Sequence, residues 1–242
     1  MSKIIIVGHP ESGYQKIEHL LKSCGMETAR ASKNENLSPA DICSVLRQAH
    51  KIPAVETITS EADVMQIQPG PVWNGLALDL WLGNIDQKVW GWADPQAINL
   101  LDYWKSLDPE LMFLLAYNEP HSVFFRTHYE DINQCTSESV FRLLDNWTAY
   151  NSALLNFYLR NTDRSFLLNI RQVPDTPDYF LGQLKTRFGV LLQEPAFHAM
   201  KRYSVLQESC FFEPNSSSLD DSVTANGSNG NGKSEIDIFL ID

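Results

Sequence analysis

The chain has 242 residues, 43% of them hydrophobic, with 30 acidic against 19 basic side chains and a formal net charge of −11. That length suits one α/β domain with a large core, or one domain with an appendage. The negative balance argues against nucleic acid as a partner, and a polyanionic small ligand would need a local cationic pocket to overcome it.

Branched apolar residues at 4–7 predict a buried strand, followed by the loop Gly8-His9-Pro10-Glu11-Ser12-Gly13 and an amphipathic helix with Ile17, Leu20, Leu21 and Cys24 on one face. Strand, glycine-bounded loop and helix form a backbone arrangement that cradles phosphate on N–H groups. Glu11 stands where a phosphate binder wants a cation, and no Lys-Ser or Lys-Thr pair closes the loop, which sets a P-loop kinase aside. Ser38 and Pro39 cap the next helix, with Ile42, Val45, Leu46 and Ala49 as its inner stripe. Residues 52–72 carry three prolines and little periodicity, the pattern of a long connection used as a lid or binding loop. Residues 72–84 read as helix, 88–92 as strand, 95–107 as helix and 111–117 as strand.

A long helix follows over 137–160, packing through Val140, Leu143, Leu144, Trp147, Tyr150, Leu154 and Phe157. A strand over 165–173 and a helix stopping at Gly189 complete the series. Such alternation predicts an α/β fold with a mostly parallel sheet and helices on both faces. Ligands of such sheets bind outside the carboxyl ends of the strands, here residues 8–13, 92–96 and 118–126. Residues 1–212 form the domain, and 213–234 read as a flexible Ser/Asn/Gly linker, so residues 213–242 are expected to be dispensable for folding. The strand-like tail at 235–242 is either the start of a further domain or a peptide that docks on a sheet edge. The chain enters a strand at once with no signal peptide and no membrane-length apolar run. Cys24, Cys43, Cys135 and Cys210 show no Cys-x-x-Cys spacing, so they read as reduced thiols of a cytoplasmic protein.

Three segments together resemble the sulfotransferase family, in particular bacterial enzymes of the carbohydrate-modifying kind. Gly8, Ser12 and Gly13 match the first loop of that family, G-M-H-R-S-G-T-S or P-K-S-G-T-T. "WGWADPQ" at 90–96 matches W-G-W-K-D-P-R, and "LLAYNEP" at 114–120 matches a strand ending V-Y-R-H-P. The resemblance spans residues 3–190. It implies a P-loop-like fold and 3′-phosphoadenosine 5′-phosphosulfate as cofactor. In the family the first loop holds the 5′-phosphosulfate, an arginine and a later serine hold the 3′-phosphate, and a His or Glu deprotonates the acceptor hydroxyl. The implied activity is sulfuryl transfer to a hydroxyl, on a carbohydrate acceptor, with no metal.

The departures fall on the chemistry. Glu11 replaces the loop cation, Tyr14 and Gln15 replace small hydroxyl residues, Ala93 replaces a lysine, and Gln96 an arginine. Asn118 and Glu119 stand where the 3′-phosphate arginine and its neighbour belong, and Arg126 falls at the serine position, a compensating cation. The resemblance thus places Gly8, Ser12, Gly13, Tyr14, Asn118 and Arg126 in the cofactor site, with weak or no cofactor binding expected from two carboxylates in an anion pocket. His9, Glu11 and Asp94 are the candidate catalytic residues, although His9 and Asp94 also suit polar caps. Two function classes stay open: the sulfuryl transferase, and a catalytically inactive binding or scaffolding domain joined through its linker to a larger glycan-related biosynthetic protein. Trp90 and Trp92 read as core or as a stacking surface, and the spacing of His121, His128, Glu130 and Asp131 fits no metal motif.

Overall fold

The computed structural model describes residues 1–123, 136–173 and 177–193. Arg126, Cys135, Cys210, the linker and the tail lie outside the described residues. Five strands, β1 (Ser2–Gly8), β2 (Glu27–Thr28), β3 (Val89–Ala93), β4 (Leu111–Tyr117) and β5 (Ser165–Asn169), form one sheet in the order β2-β3-β1-β4-β5. Every pairing is parallel; Ile4 of the central strand lies between Gly91 and Met112. Around the sheet lie the helices α1 (Gln15–Ser23), α2 (Pro39–Ala49), α3 (Asn74–Gly83), α4 (Leu101–Leu107), α5 (Ser137–Arg160) and α6 (Pro177–Phe188).

Strand alternation splits the core in two. Ile5, Val7, Trp90, Trp92, Phe113 and Leu115 face α2 to α5, whereas Ile4, Ile6, Met112, Leu114 and Ala116 face α1 and α6. Both faces are covered, which is why the strands read as unbroken apolar runs. Trp90 and Trp92 stack with ring centroids 6.0 Å apart inside the first core, so they are packing residues. The chain leaves β1 toward β3 on one side and meets β4 on the other, which puts the switch point beside the carboxyl end of β1.

Several elements differ from the sequence reading. Helix α2 turns Cys43 and Arg47 inward and leaves Ala49 exposed. Arg47 can be buried because its guanidinium donates to Gln96 O at 3.0 Å, Asn99 Oδ1 at 2.8 Å and Pro53 O. The 95–107 segment begins as a 3₁₀ helix, Pro95–Leu100, before α4. In α5 the buried side chains are Asn146, Ala149, Tyr150, Leu154 and Phe157, while Leu144 is exposed. The 52–72 connection is no free lid. Val55, Ile58 and Val64 sit in the core, and Asn99 Nδ2 donates to Asp63 O at 3.0 Å and Met65 O at 3.2 Å.

At the amino end of the sheet, Lys3 Nζ meets Asp108 Oδ2 at 2.6 Å with both side chains buried. Burial pushes the Asp108 carboxyl up, but donors from Lys3, Trp81 Nε1 and Glu110 N–H outweigh it and hold the group below the usual carboxylate range. No described helix is long and apolar enough to cross a membrane.

Candidate functional site

The loop after β1 is shaped by its glycines. A Cβ on Gly8 would lie 2.7 Å from Ala116 O and 2.8 Å from Ser12 Oγ, so the chain can press onto β4 only without a side chain there. Gly13 has φ 85° and ψ 23°, the left-handed region that lets the chain turn into α1. Between them Pro10–Ser12 forms one 3₁₀ turn, with Ser12 N–H donating to His9 O at 2.8 Å.

His9 holds that turn from both ring nitrogens. Its Nδ1 accepts from Glu11 N–H at 3.2 Å, and its Nε2 lies 2.6 Å from Asn146 Oδ1 on α5. The Asn146 amide donates to Val55 O at 2.8 Å and Ile58 O at 2.7 Å, so its oxygen is the acceptor and His9 Nε2 carries the proton. Burial drives the His9 pKa down, with the Asn146 hydrogen bond and the charges of Glu11 and Glu56 opposing it. A neutral ring with both nitrogens engaged has no lone pair free for an acceptor's proton. His9 thus caps the turn and links it to α5.

Asp94 is only 3% exposed. Its Oδ1 accepts from Gln96 N–H at 2.8 Å, capping the 3₁₀ helix, and its carboxyl lies against the Cys43 thiol. Burial raises its pKa, against the lowering effects of Cys43, Gln96 N–H and Arg47. Asn118 is equally committed: Nδ2 donates to Ser12 O at 3.1 Å, Oδ1 accepts from Glu119 N–H at 2.9 Å, and its carbonyl accepts from Trp147 Nε1 at 3.0 Å. It ties the end of β4 to the loop.

Gly8, His9, Glu11, Ser12, Gly13, Tyr14, Asp94 and Asn118 thus gather at the carboxyl ends of β1, β3 and β4, as the sequence led us to expect. Glu11 and Tyr14 are half-buried. The Tyr14 hydroxyl pKa is pushed up by burial, then by the nearby charges of Asp94, Glu18 and Glu11. Among the described residues, the amides of Gly13, Tyr14 and Gln15 make no backbone hydrogen bond, which leaves a small donor cradle at the start of α1. At the mouth, Glu119 Oε2 lies 2.7 Å from Arg171 Nη1 and 3.3 Å from His121 Nε2.

Asn146 and Arg171 were not singled out by sequence, and Tyr150 was read only as a packing residue of the long helix. The Tyr150 hydroxyl lies 3.0 Å from Gly8 O and 2.8 Å from Pro95 O, joining the ends of β1 and β3. Asn146 carried a readable signal: one amide on the otherwise apolar stripe of α5. Arg171 carried none, because it followed an apolar strand and its partner lies on another loop.

No protein-family model matches the chain, and no curated protein matches its sequence. Solved structures match in shape. The sulfotransferase domain from the curacin biosynthetic pathway is 14% identical, with a TM-score of 0.50 and 82% of each chain covered. The sulfotransferase domain of the Synechococcus PCC 7002 olefin synthase is 13% identical, with a TM-score of 0.47, over 82% of this chain and 75% of that one. A sulfotransferase from Mycobacterium avium is 11% identical, with a TM-score of 0.47, over 87% of this chain and 69% of that one. The all-parallel sheet, the loop after its first strand and the match to the curacin-pathway domain give this chain a sulfotransferase fold.

Proposed function

We propose that this chain is a sulfotransferase-fold binding or scaffolding domain that does not carry out sulfuryl transfer. One observation carries the reading: His9, Asp94 and Asn118, three of the side chains at the family's cofactor and catalytic positions, are engaged in internal hydrogen bonds. His9 caps Glu11 and meets Asn146, Asp94 caps Gln96, and Asn118 ties Ser12 to Glu119. The residues present do not fit 3′-phosphoadenosine 5′-phosphosulfate. Three open amides suit a phosphate, but Glu11 occupies the loop-cation position, and Glu119 stands at the mouth with Arg171 already paired to it. Backbone donors and a helix N-terminus supply roughly 0.3–2 kcal/mol per charge contact, too little to hold a nucleotide of high negative charge against a carboxylate.

Calorimetry with 3′-phosphoadenosine 5′-phosphate tests this reading. Dissociation constants in the millimolar range, about −4 kcal/mol, or weaker are expected. Micromolar binding would overturn it.

The open amides favour a second reading, sulfuryl transfer to a carbohydrate hydroxyl with Glu11 as base and Arg126 holding the 3′-phosphate. Transfer of labelled sulfate from 3′-phosphoadenosine 5′-phosphosulfate to sugar acceptors, abolished by Glu11→Gln, would establish it. Attachment to a larger biosynthetic protein through the linker, and a cytoplasmic site of action, belong to the same proposal.

A further inference from the structure

Strand β5 forms one edge of the sheet. Phe113 N–H donates to Arg164 O at 2.9 Å and Ile170 N–H to Tyr117 O at 3.0 Å, so the even-numbered residues of this strand turn their backbone groups toward β4. Those of Ser165, Leu167 and Asn169 point outward. Asn161 O accepts from Ser165 N–H at 2.9 Å, and Asn169 O accepts from Gln172 N–H at 3.1 Å. Both backbone groups of Leu167 and the N–H of Asn169 have no backbone partner among the described residues. Phe166, Leu167 and Leu168 give this edge an apolar character, without the lysine, proline or bulge that usually protects one. The opposite edge is different in kind: β2 has two residues, Glu27 and Thr28, both exposed.

We propose that residues 236–241, Ile-Asp-Ile-Phe-Leu-Ile, dock on β5 of their own chain as a sixth strand. The segment is mostly apolar on both of its strand faces, which suits a sheet covered by helices on both sides. Charge fits at the ends. Arg164 and Arg171, which also meet Asp163 at 3.7 Å and Glu119 at 2.7 Å respectively, bracket β5, Glu235 and Asp242 bracket the segment at the same spacing, and either strand direction sets an acid opposite each arginine. Arg187 adds a third cation at this edge, with its Cζ 5.0 Å from the centre of the Phe166 ring. Reach is sufficient. Gln193 is anchored to Cys24 O at 2.8 Å. The 42 residues between Gln193 and Ile236 need only a small fraction of their contour length, at roughly 3.3 Å per residue, to cross the width of five strands, about 20 Å. Of the two readings of the tail left open by sequence, an edge unpaired among the described residues favours the docking peptide.

Amide hydrogen exchange on the full chain tests the assignment. Pairing should protect the outward amides of Leu167 and Asn169. An Ile238→Pro/Phe239→Pro double variant removes a donor in either register. In that variant, and in a chain ending at Lys233, these two amides should exchange about ten-fold faster, while Leu115 inside the sheet is unchanged. Adding a peptide of residues 234–242 to the shortened chain should restore protection. Equal rates at Leu167 and Asn169 in all three chains would overturn the proposal. Protection found only in a dimer that dissociates on dilution would also overturn it, assigning the strand to a second copy.

Discussion

The two ends of the sheet treat buried charge in opposite ways. At the amino end, the Asp108 carboxylate meets Lys3 at 2.6 Å, Trp81 Nε1 at 2.8 Å and Glu110 N–H at 2.8 Å. At the carboxyl end, Asp94 is as deeply buried but only its Oδ1 has a donor; among the described residues its Oδ2 and Ser12 Oγ have no hydrogen-bond partner, and the amides opening α1 make no backbone hydrogen bond. The Asp108 carboxylate is closed around by its own donors. The carboxyl end keeps polar groups in reserve, the condition expected where a ligand or its vestige belongs. The difference teaches that one sheet can close an ion pair at one end while the other end turns His9, Asp94 and Asn118 inward to hold its own loops.

Breaking the closed end should have the largest effect. Lys3→Met leaves Asp108 buried without its cation and should cost about 3–5 kcal/mol in urea unfolding, most of it recovered in Lys3→Met/Asp108→Leu. The sign of the pH dependence follows from the depressed Asp108 pKa: its stabilisation is present above the ordinary carboxylate range and is lost as pH falls through about 4 and below. A Lys3→Met loss under about 1 kcal/mol would place this pair with weak surface ion pairs and erase the contrast.

At the open end, the largest loss should come from Asn146→Leu. It strands the His9 ring N–H and the carbonyls of Val55 and Ile58, and should cost about 3 kcal/mol. Chemical shifts of the Glu11 amide would report whether the loop turn loosens with it. Glu11→Lys acts on affinity. It should tighten 3′-phosphoadenosine 5′-phosphate by roughly 2 kcal/mol, the scale of a charged hydrogen bond, with the melting temperature nearly unchanged. No change in calorimetry would show that charge at residue 11 is not what closes the cradle.

Asp94→Asn should have the smallest effect. Asparagine keeps the cap on Gln96 and removes a carboxyl whose raised pKa makes ionisation unfavourable in the fold. A raised carboxyl pKa lowers stability as pH rises through the carboxylate range. The variant should therefore match the parent near about pH 3 and exceed it slightly near about pH 7.

The strands of the fold were legible because burial on both faces writes each one as an unbroken apolar run, as at residues 4–7 and 111–117. The loop at 8–13 was legible because its two glycines answer to backbone geometry. What sequence could not give was the use of polar side chains. His9 and Asn146 are 137 positions apart, and only the packing of α5 across the sheet brings them together. Helix periodicity assigned Ala49 to the inside because it could not foresee that Arg47 would find three carbonyl-type acceptors there.

The tryptophans also give the molecule an optical consequence. Buried Trp90, Trp92 and Trp104 and half-buried Trp81 form one cluster, each within 6.0 Å of a neighbouring ring. Indoles held so close and so rigidly couple electronically, so the cluster should dominate the near-ultraviolet circular dichroism. Trp147 stands apart, its N–H on Asn118 O at the cradle. Its fluorescence, separated from the others by a Trp147→Phe difference spectrum, is a built-in reporter of anything that enters the loop.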